Sequence, residues 1–318
     1  MNLYKMCENA IHKPVLLKEV IDGLSIKCDG IYLDGTFGYG GHSINILKKL
    51  SNLGKLFVID KDINSIKFAK THFSNDKRIF IHHGSFSDIY QFAKKNNICG
   101  KIDGILLDLG ISSAQLNDPS RGFSFLKSGP LDMRIDLQQD FTAKKFIYET
   151  DINQMALIFK KYGEERYALK IAKEIYKERI KFNINNTFDL VKVIKKVVPI
   201  WKNHKHPATR VFQAIRIHVN KELDNLFFAL KATLKVLSIK GRLVVISFHS
   251  LEDRIVKRFM LNKNYNIFYL SKIPIYTIEN NIKFRQIGKF IRPSDEEIKN
   301  NIRSRSAILR IGEKINND

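Results

Sequence analysis

Four short apolar runs, each separated from the next by a helical pattern, dominate the first third of the chain and constrain its fold most. The runs lie at 30–34, 55–60, 78–82 and 102–109, with helical patterns at 42–50, 62–73 and 87–97. Continuously apolar strands are what a sheet covered on both faces requires. Their alternation with helices predicts βαβ units and a parallel sheet. From about residue 116 to 209 strand signals become few. A polar loop with Gly and Pro at 117–136 precedes predicted helices at 142–150, 152–162, 164–180 and 187–198. Thr142 and Thr187 are candidate N-caps, Gly163 is a stop, and Pro199 ends the last helix. A long amphipathic helix is predicted over 208–226, where Val211, Ile215, Val219 and Leu223 make one apolar stripe. Buried-strand patterns return at 241–248 and 306–311, whereas 262–289, rich in Asn, Lys and Ile, has no clear period. The expectation is one α/β sheet domain, residues 1–115 and 210–318, interrupted by an inserted helical domain at 116–209.

Composition narrows the function classes. A length of 318 residues, 44% hydrophobic and 27% charged, suits a globular chain with a sizeable core and argues against wholesale disorder. No apolar run is long enough for a membrane span, and the first nine residues lack the apolar stretch of a secretory signal. The three cysteines, Cys7, Cys28 and Cys99, are far apart, so neither disulfides nor a zinc site is expected and a reducing cytoplasm fits. No other His or carboxylate spacing suggests a metal. The net charge of +22 favours a polyanionic partner, although a Lys- and Asn-rich coding bias would raise it too.

The sharpest local motif is DGTFGYGGHS at 34–43, after the first strand and at the head of the first helix. Gly38, Gly40 and Gly41 allow a tight turn with close backbone approach to a ligand. The helix start offers free N–H donors. Asp60 closes the next strand, where a carboxylate accepts the two hydroxyls of an adenosyl ribose. A dinucleotide fingerprint would need glycine where Ser43 stands, and Asp34 would repel a pyrophosphate. The motif therefore favours S-adenosylmethionine over NAD. Phe86, after the third strand, is either an adenine-stacking ring or a core aromatic. Asp108 ends the fourth strand at the rim where ligands bind in open α/β sheets. There it can accept a hydrogen bond from an amine, or it is a turn residue. The loop at 117–136 is a lid or a connector. Arg210, Gln213, Arg216 and Asn220 lie opposite the apolar stripe, as an RNA-gripping or a merely solvated face. His249, at the end of the 241–248 strand, is a substrate contact or a bystander. Ser250 with Asp253 resembles a capping box.

Several of these segments together resemble one family. Residues 34–43, 107–115, 121–125 with 129–134, 162–166 (YGEER), 206–213, 246–254 (ISFHSLEDR) and 303–306 (RSRS) are similar to the bacterial RsmH family, also called MraW, in order and spacing along nearly the whole chain. The resemblance implies a Rossmann-like class I methyltransferase sheet with an inserted helical domain. It implies S-adenosylmethionine-dependent methylation of N4 of a cytidine in the decoding region of 16S rRNA, within the small ribosomal subunit. By that likeness Gly40, Gly41, His42, Asp60, Phe86, Asp108 and Gln115 hold the cofactor, and Asp108 also serves catalysis. Arg210, Gln213 and His249 are the candidate substrate contacts. Ala114, Val211 and Ile302 stand where the family usually has Pro, Thr and Pro. The alternatives are a methyltransferase on another nucleic acid and a non-catalytic ribosome-assembly factor. Oligomeric state is left open, with a homodimer among the options.

Overall fold

The computed structural model describes residues 14–198, 206–261 and 284–316. The chain divides into two compact units, residues 1–110 with 223–318 and residues 111–222. The boundaries thus fall at 110/111 and 222/223, where the sequence placed them at 115/116 and 209/210.

The first unit is built on seven strands: β1 (Ile31–Asp34), β2 (Lys55–Asp60), β3 (Ile79–His83), β4 (Ile102–Asp108), β5 (Leu237–Ser247), β6 (Phe284–Ile291) and β7 (Ile308–Lys314). Their order is β3-β2-β1-β4-β5-β7-β6. The first five pair in parallel, and β7 runs antiparallel to both neighbours. This is a Rossmann-like class I methyltransferase sheet. Residues of one parity, including Leu33, Phe57, Ile59, Ile105, Leu107 and Val245, enter one core; their chain neighbours Tyr32, Leu56, Val58, Leu106, Val244 and Ile246 enter another. Both faces are covered, which is why the strands read as continuous apolar runs. Helices α1 (Leu17–Leu24), α2 (Gly41–Leu47), α3 (Ile63–Phe73) and α4 (Ile89–Lys95) belong to this half of the sequence. The α1 helix was not expected. The chain leaves β1 for β2 on one side and returns to β4 on the other, so a topological switch point lies between β1 and β4.

The second unit is helical: α5 (Ser113–Asn117), α6 (Ala143–Glu149), α7 (Ile152–Gly163), α8 (Ala168–Lys181), α9 (Thr187–Val197) and α10 (Thr209–Asn220). Thr142 caps α6 as expected, its hydroxyl accepting from Lys145 N–H. The α9 cap is Asn186, in a box with Asp189, not Thr187; that threonine is buried and bonds the Lys127 carbonyl. The expected helix at 208–226 is two helices, because Lys221 adopts φ 52 and turns the chain into α11 (Glu222–Val236). The boundary moves for the same reason. Val211, Ile215 and Val219 of α10 pack into the helical core, while Leu226, Phe227 and Leu230 of α11 pack on the sheet. The loop at 117–136 is pinned rather than loose. Arg121 donates to the carbonyls of Arg134 and Ile135, both at 3.0 Å, and Arg134 grips Asp132 through two hydrogen bonds. Gly129 lies so close to Pro119 that a Cβ would stand 1.8 Å from its carbonyl oxygen.

Candidate active site

The glycine loop after β1 is stitched to both flanking strands. Gly35 N–H donates to the Leu106 carbonyl at 3.0 Å, and Phe37 N–H to the Ile59 carbonyl at 3.1 Å. Gly40 has φ 79, and a Cβ there would press the Phe37 ring at 3.0 Å and Phe73 at 3.3 Å. Only glycine meets both demands.

Asp34 does not face a ligand, as the argument about pyrophosphate supposed. It is 1% exposed, with one oxygen accepting from Thr36 N–H at 3.0 Å and the other from the Ser43 hydroxyl at 2.7 Å. Burial holds its carboxyl above the usual range. Ser43 is therefore a brace between β1 and α2. Replacing it by alanine leaves a buried carboxylate oxygen without its donor and is expected to cost about 1–3 kcal/mol of stability. A urea melt of Ser43→Ala reads that loss, and an unchanged midpoint would remove the brace.

Asp60 ties two loops at the end of β2. One oxygen accepts from Gly38 N–H at 2.7 Å, the other from Asp62 N–H at 2.8 Å. A carboxylate has about four lone-pair positions, so capacity remains for further donors. Burial pushes its pKa up to about 7, against the two backbone hydrogen bonds that pull it down; the nearby Asp62 and Asp34 charges add to the rise. Phe86 opens a short 3₁₀ turn, Phe86–Asp88, after β3. Its ring is partly buried against the sheet core, and its Cβ would lie 3.1 Å from a Cβ on Gly35.

Asp108 ends β4, held to the glycine loop by its N–H, which donates to the Thr36 hydroxyl at 2.7 Å. Burial, then the charges of Asp34 and Glu252, raise its carboxyl to about 8. His42, in the first turn of α2, is 5% exposed, and burial lowers its imidazole to about 4. His42 Nε2 stands 3.6 Å from Asp108 Oδ2. Both groups are pushed toward their neutral forms, and the separation exceeds a hydrogen bond, so this is no ion pair near neutrality. Both ring nitrogens of His42 and Oδ1 of Asp108 are buried without a hydrogen-bond partner. Such groups are costly in a native interior and mark a place shaped for a polar ligand.

Of the seven expected cofactor residues, Gly40, Gly41, His42, Asp60, Phe86 and Asp108 lie in the sheet unit around these strand ends. Gln115 belongs to the helical unit. There it closes a capping box, its N–H donating to the Ser112 hydroxyl and its Oε1 accepting from Ser112 N–H at 2.8 Å. The expected gripping face of α10 is mostly committed internally. Gln213 donates to the Tyr162 carbonyl at 2.9 Å, Arg216 forks onto Glu222, and Asn220 is buried between Ile135 N–H and the Met133 carbonyl. Arg210 alone among them is exposed.

His249 is the N-cap of α12 (Ser250–Met260), its Nδ1 accepting from Glu252 N–H at 3.4 Å. The expected box of Ser250 with Asp253 is not formed: the cap sits one residue earlier, and Glu252, 2% exposed, accepts from the N–H of Phe248, the residue before the cap, at 2.9 Å. Asp253 instead forks onto Arg310 at 2.7 and 3.0 Å. Two residues that build the candidate site were not singled out from sequence. Thr36 carried no signal beyond a short polar side chain after Asp34. Glu252 was legible only as the third residue after a cap that was misplaced.

The model of the MraW methylase family matches residues 9–315. The chain is 54% identical over 306 residues to the ribosomal RNA small subunit methyltransferase H of Legionella pneumophila (strain Corby), covering 96% of this chain and 99% of that protein. It is 49% identical over 312 residues to the protein of the same name from Shewanella oneidensis, covering 98% and 99%.

Proposed function

The chain belongs to the MraW methylase family, and from that premise we propose that it moves a methyl group from S-adenosylmethionine to N4 of a cytidine in the decoding region of small-subunit rRNA. The observation that carries the reading is the set of polar groups at the ends of β1, β2 and β4: Asp60 with acceptor capacity to spare, and both His42 ring nitrogens and Asp108 Oδ1 buried without hydrogen-bond partners. These groups fit a ligand with ribose hydroxyls on one side and charged polar groups on the other.

Bound there, the cofactor supplies an electrophilic methyl on a sulfonium. Asp60 accepts the ribose hydroxyls. The glycine loop admits the ligand against backbone, and Phe86 offers a ring for the adenine. An exocyclic base amine is a poor nucleophile because its lone pair is delocalised into the ring. Asp108, in its ionised form, accepts a hydrogen bond from that amine, orients it, stabilises the positive charge that develops on nitrogen, and takes the proton that the methylated nitrogen sheds. The base leaves its stack to reach the pocket. The helical unit, with Arg210 and Gln213, and His249 of the sheet unit, are proposed to meet the RNA, and Gln115 is proposed as a cofactor contact.

Purified protein given labelled cofactor with unmodified small subunits, DNA or bulk protein is expected to label the subunits alone. Label in DNA or protein, or in nothing, would overturn this assignment.

A further inference from the structure

The outward face of α8 in the helical unit is two-toned. Lys170, Lys173, Lys177 and Lys181 recur at helical spacing and are all exposed. Beside them run Leu169, Tyr176 and Ile180, exposed at 48, 38 and 72%. Spacings of three and four link the lysines along one ridge, and they set Lys173 between Leu169 and Tyr176, with Ile180 one turn beyond Tyr176. The helix also carries Glu174 and Glu178, which would neutralise such a ridge if they faced it. Their carboxylates reach α9, where Lys196 stands 2.7 Å from Glu178 and 4.0 Å from Glu174, and Glu178 feels Lys177 and Lys181 only at longer range, without an ion pair. Among the described residues none of the four lysines has an ion-pair partner.

Tyr176 is preset. The Arg179 guanidinium lies 4.3 Å from its ring centroid and is itself anchored on the Ile147 and Thr150 carbonyls at 2.6 and 2.9 Å. A fixed aromatic beside a row of cations is the arrangement that binds single-stranded nucleic acid, phosphates on the lysines and a base on the ring.

We propose that this face of α8 docks a single-stranded stretch of the rRNA backbone, with Tyr176 stacking on an unpaired base. The inference rests on the reading of the protein as an rRNA methyltransferase. RNA is favoured over a second copy because a two-fold contact through this face would set the four lysines against their own images.

The test compares wild type with a variant in which the four lysines are changed to glutamine, which preserves charge-free helix propensity, and with Tyr176→Ala. Binding to in vitro transcribed small-subunit rRNA is measured across a salt series, with cofactor affinity as the control for folding. The quadruple variant is expected to bind at least about tenfold more weakly at low salt, with a log–log salt slope shallower by roughly 2–3. Tyr176→Ala is expected to lose about tenfold with the slope unchanged. Cofactor affinity stays at the wild-type value in both. Equal RNA affinity of wild type and the quadruple variant would overturn the docking face. So would self-association of the wild type that the lysine changes abolish while RNA binding persists. A wild type that binds the RNA through these lysines but labels only DNA or protein would spare the face and refute the rRNA-substrate reading beneath it.

Discussion

Asp108→Asn is expected to lower the rate of methyl transfer at saturating cofactor and RNA by ~10²- to 10³-fold. The substitution keeps the shape and one acceptor oxygen and removes the charge. Burial raises the Asp108 carboxyl to about 8, so in the free protein it holds its proton at neutrality. The ionised form is the better partner for an amine gaining positive charge. The wild-type rate is therefore expected to climb with pH through the range near 8, and the rate of the asparagine variant to stay flat. His42 does not supply the rise. Its imidazole, lowered to about 4, is already neutral across that range. A variant within tenfold of wild type, or a wild-type profile flat from pH 6 to 9, would remove Asp108 from the chemistry.

The second large effect falls on cofactor binding. Hydrogen bonds to a charged group contribute about 1.5–3 kcal/mol each, so losing two from the ribose in Asp60→Ala predicts an affinity weaker by roughly 10²- to 10⁴-fold. The pH dependence has a definite sign. The folded-state pKa of Asp60 is raised to about 7 from 3.8. Between those values the native chain holds a proton that the unfolded chain has released, so this group's contribution to stability declines as pH rises through that window. Ribose hydroxyls donate to the carboxylate and favour its ionised form. Affinity is thus expected to rise from pH 6 to 8 and level off above. Calorimetry on wild type and Asp60→Asn checks both parts. The asparagine variant should show the weaker binding without the pH dependence, and equal affinities would end the ribose role.

The sheet was legible because its strands are buried on two faces and cannot avoid apolar runs; Leu106 and Leu107 serve opposite cores and both must be hydrophobic. The glycine loop and Asp60 were legible for a related reason, since only glycine tolerates the backbone at Gly40. What escaped depended on three-dimensional partners. Asp34 and Ser43 looked like ligand discriminators, yet they satisfy each other in the interior. The α10 face looked like an RNA-gripping or a solvated surface, yet Asn220 reaches residues far away in sequence. Lys221 ends a helix in a left-handed conformation without the glycine that usually signals it, so two helices of different units read as one. Of β6, only its place within a low-complexity stretch was visible, and the part of that stretch at 262–283 lies outside the described residues.

The strand-end carboxylates Asp60 and Asp108 are proposed to hold the cofactor and the target base while the cofactor's methyl group passes to one base of small-subunit rRNA. Mass spectrometry of that rRNA from cells lacking the protein, and from the same cells given wild type or Asp108→Asn, tests it most directly. One cytidine modification is predicted to be short of a methyl group in the deletion, whole again with wild type and still deficient with the variant. An unchanged methylation pattern in the deletion, or full restoration by Asp108→Asn, would contradict the account.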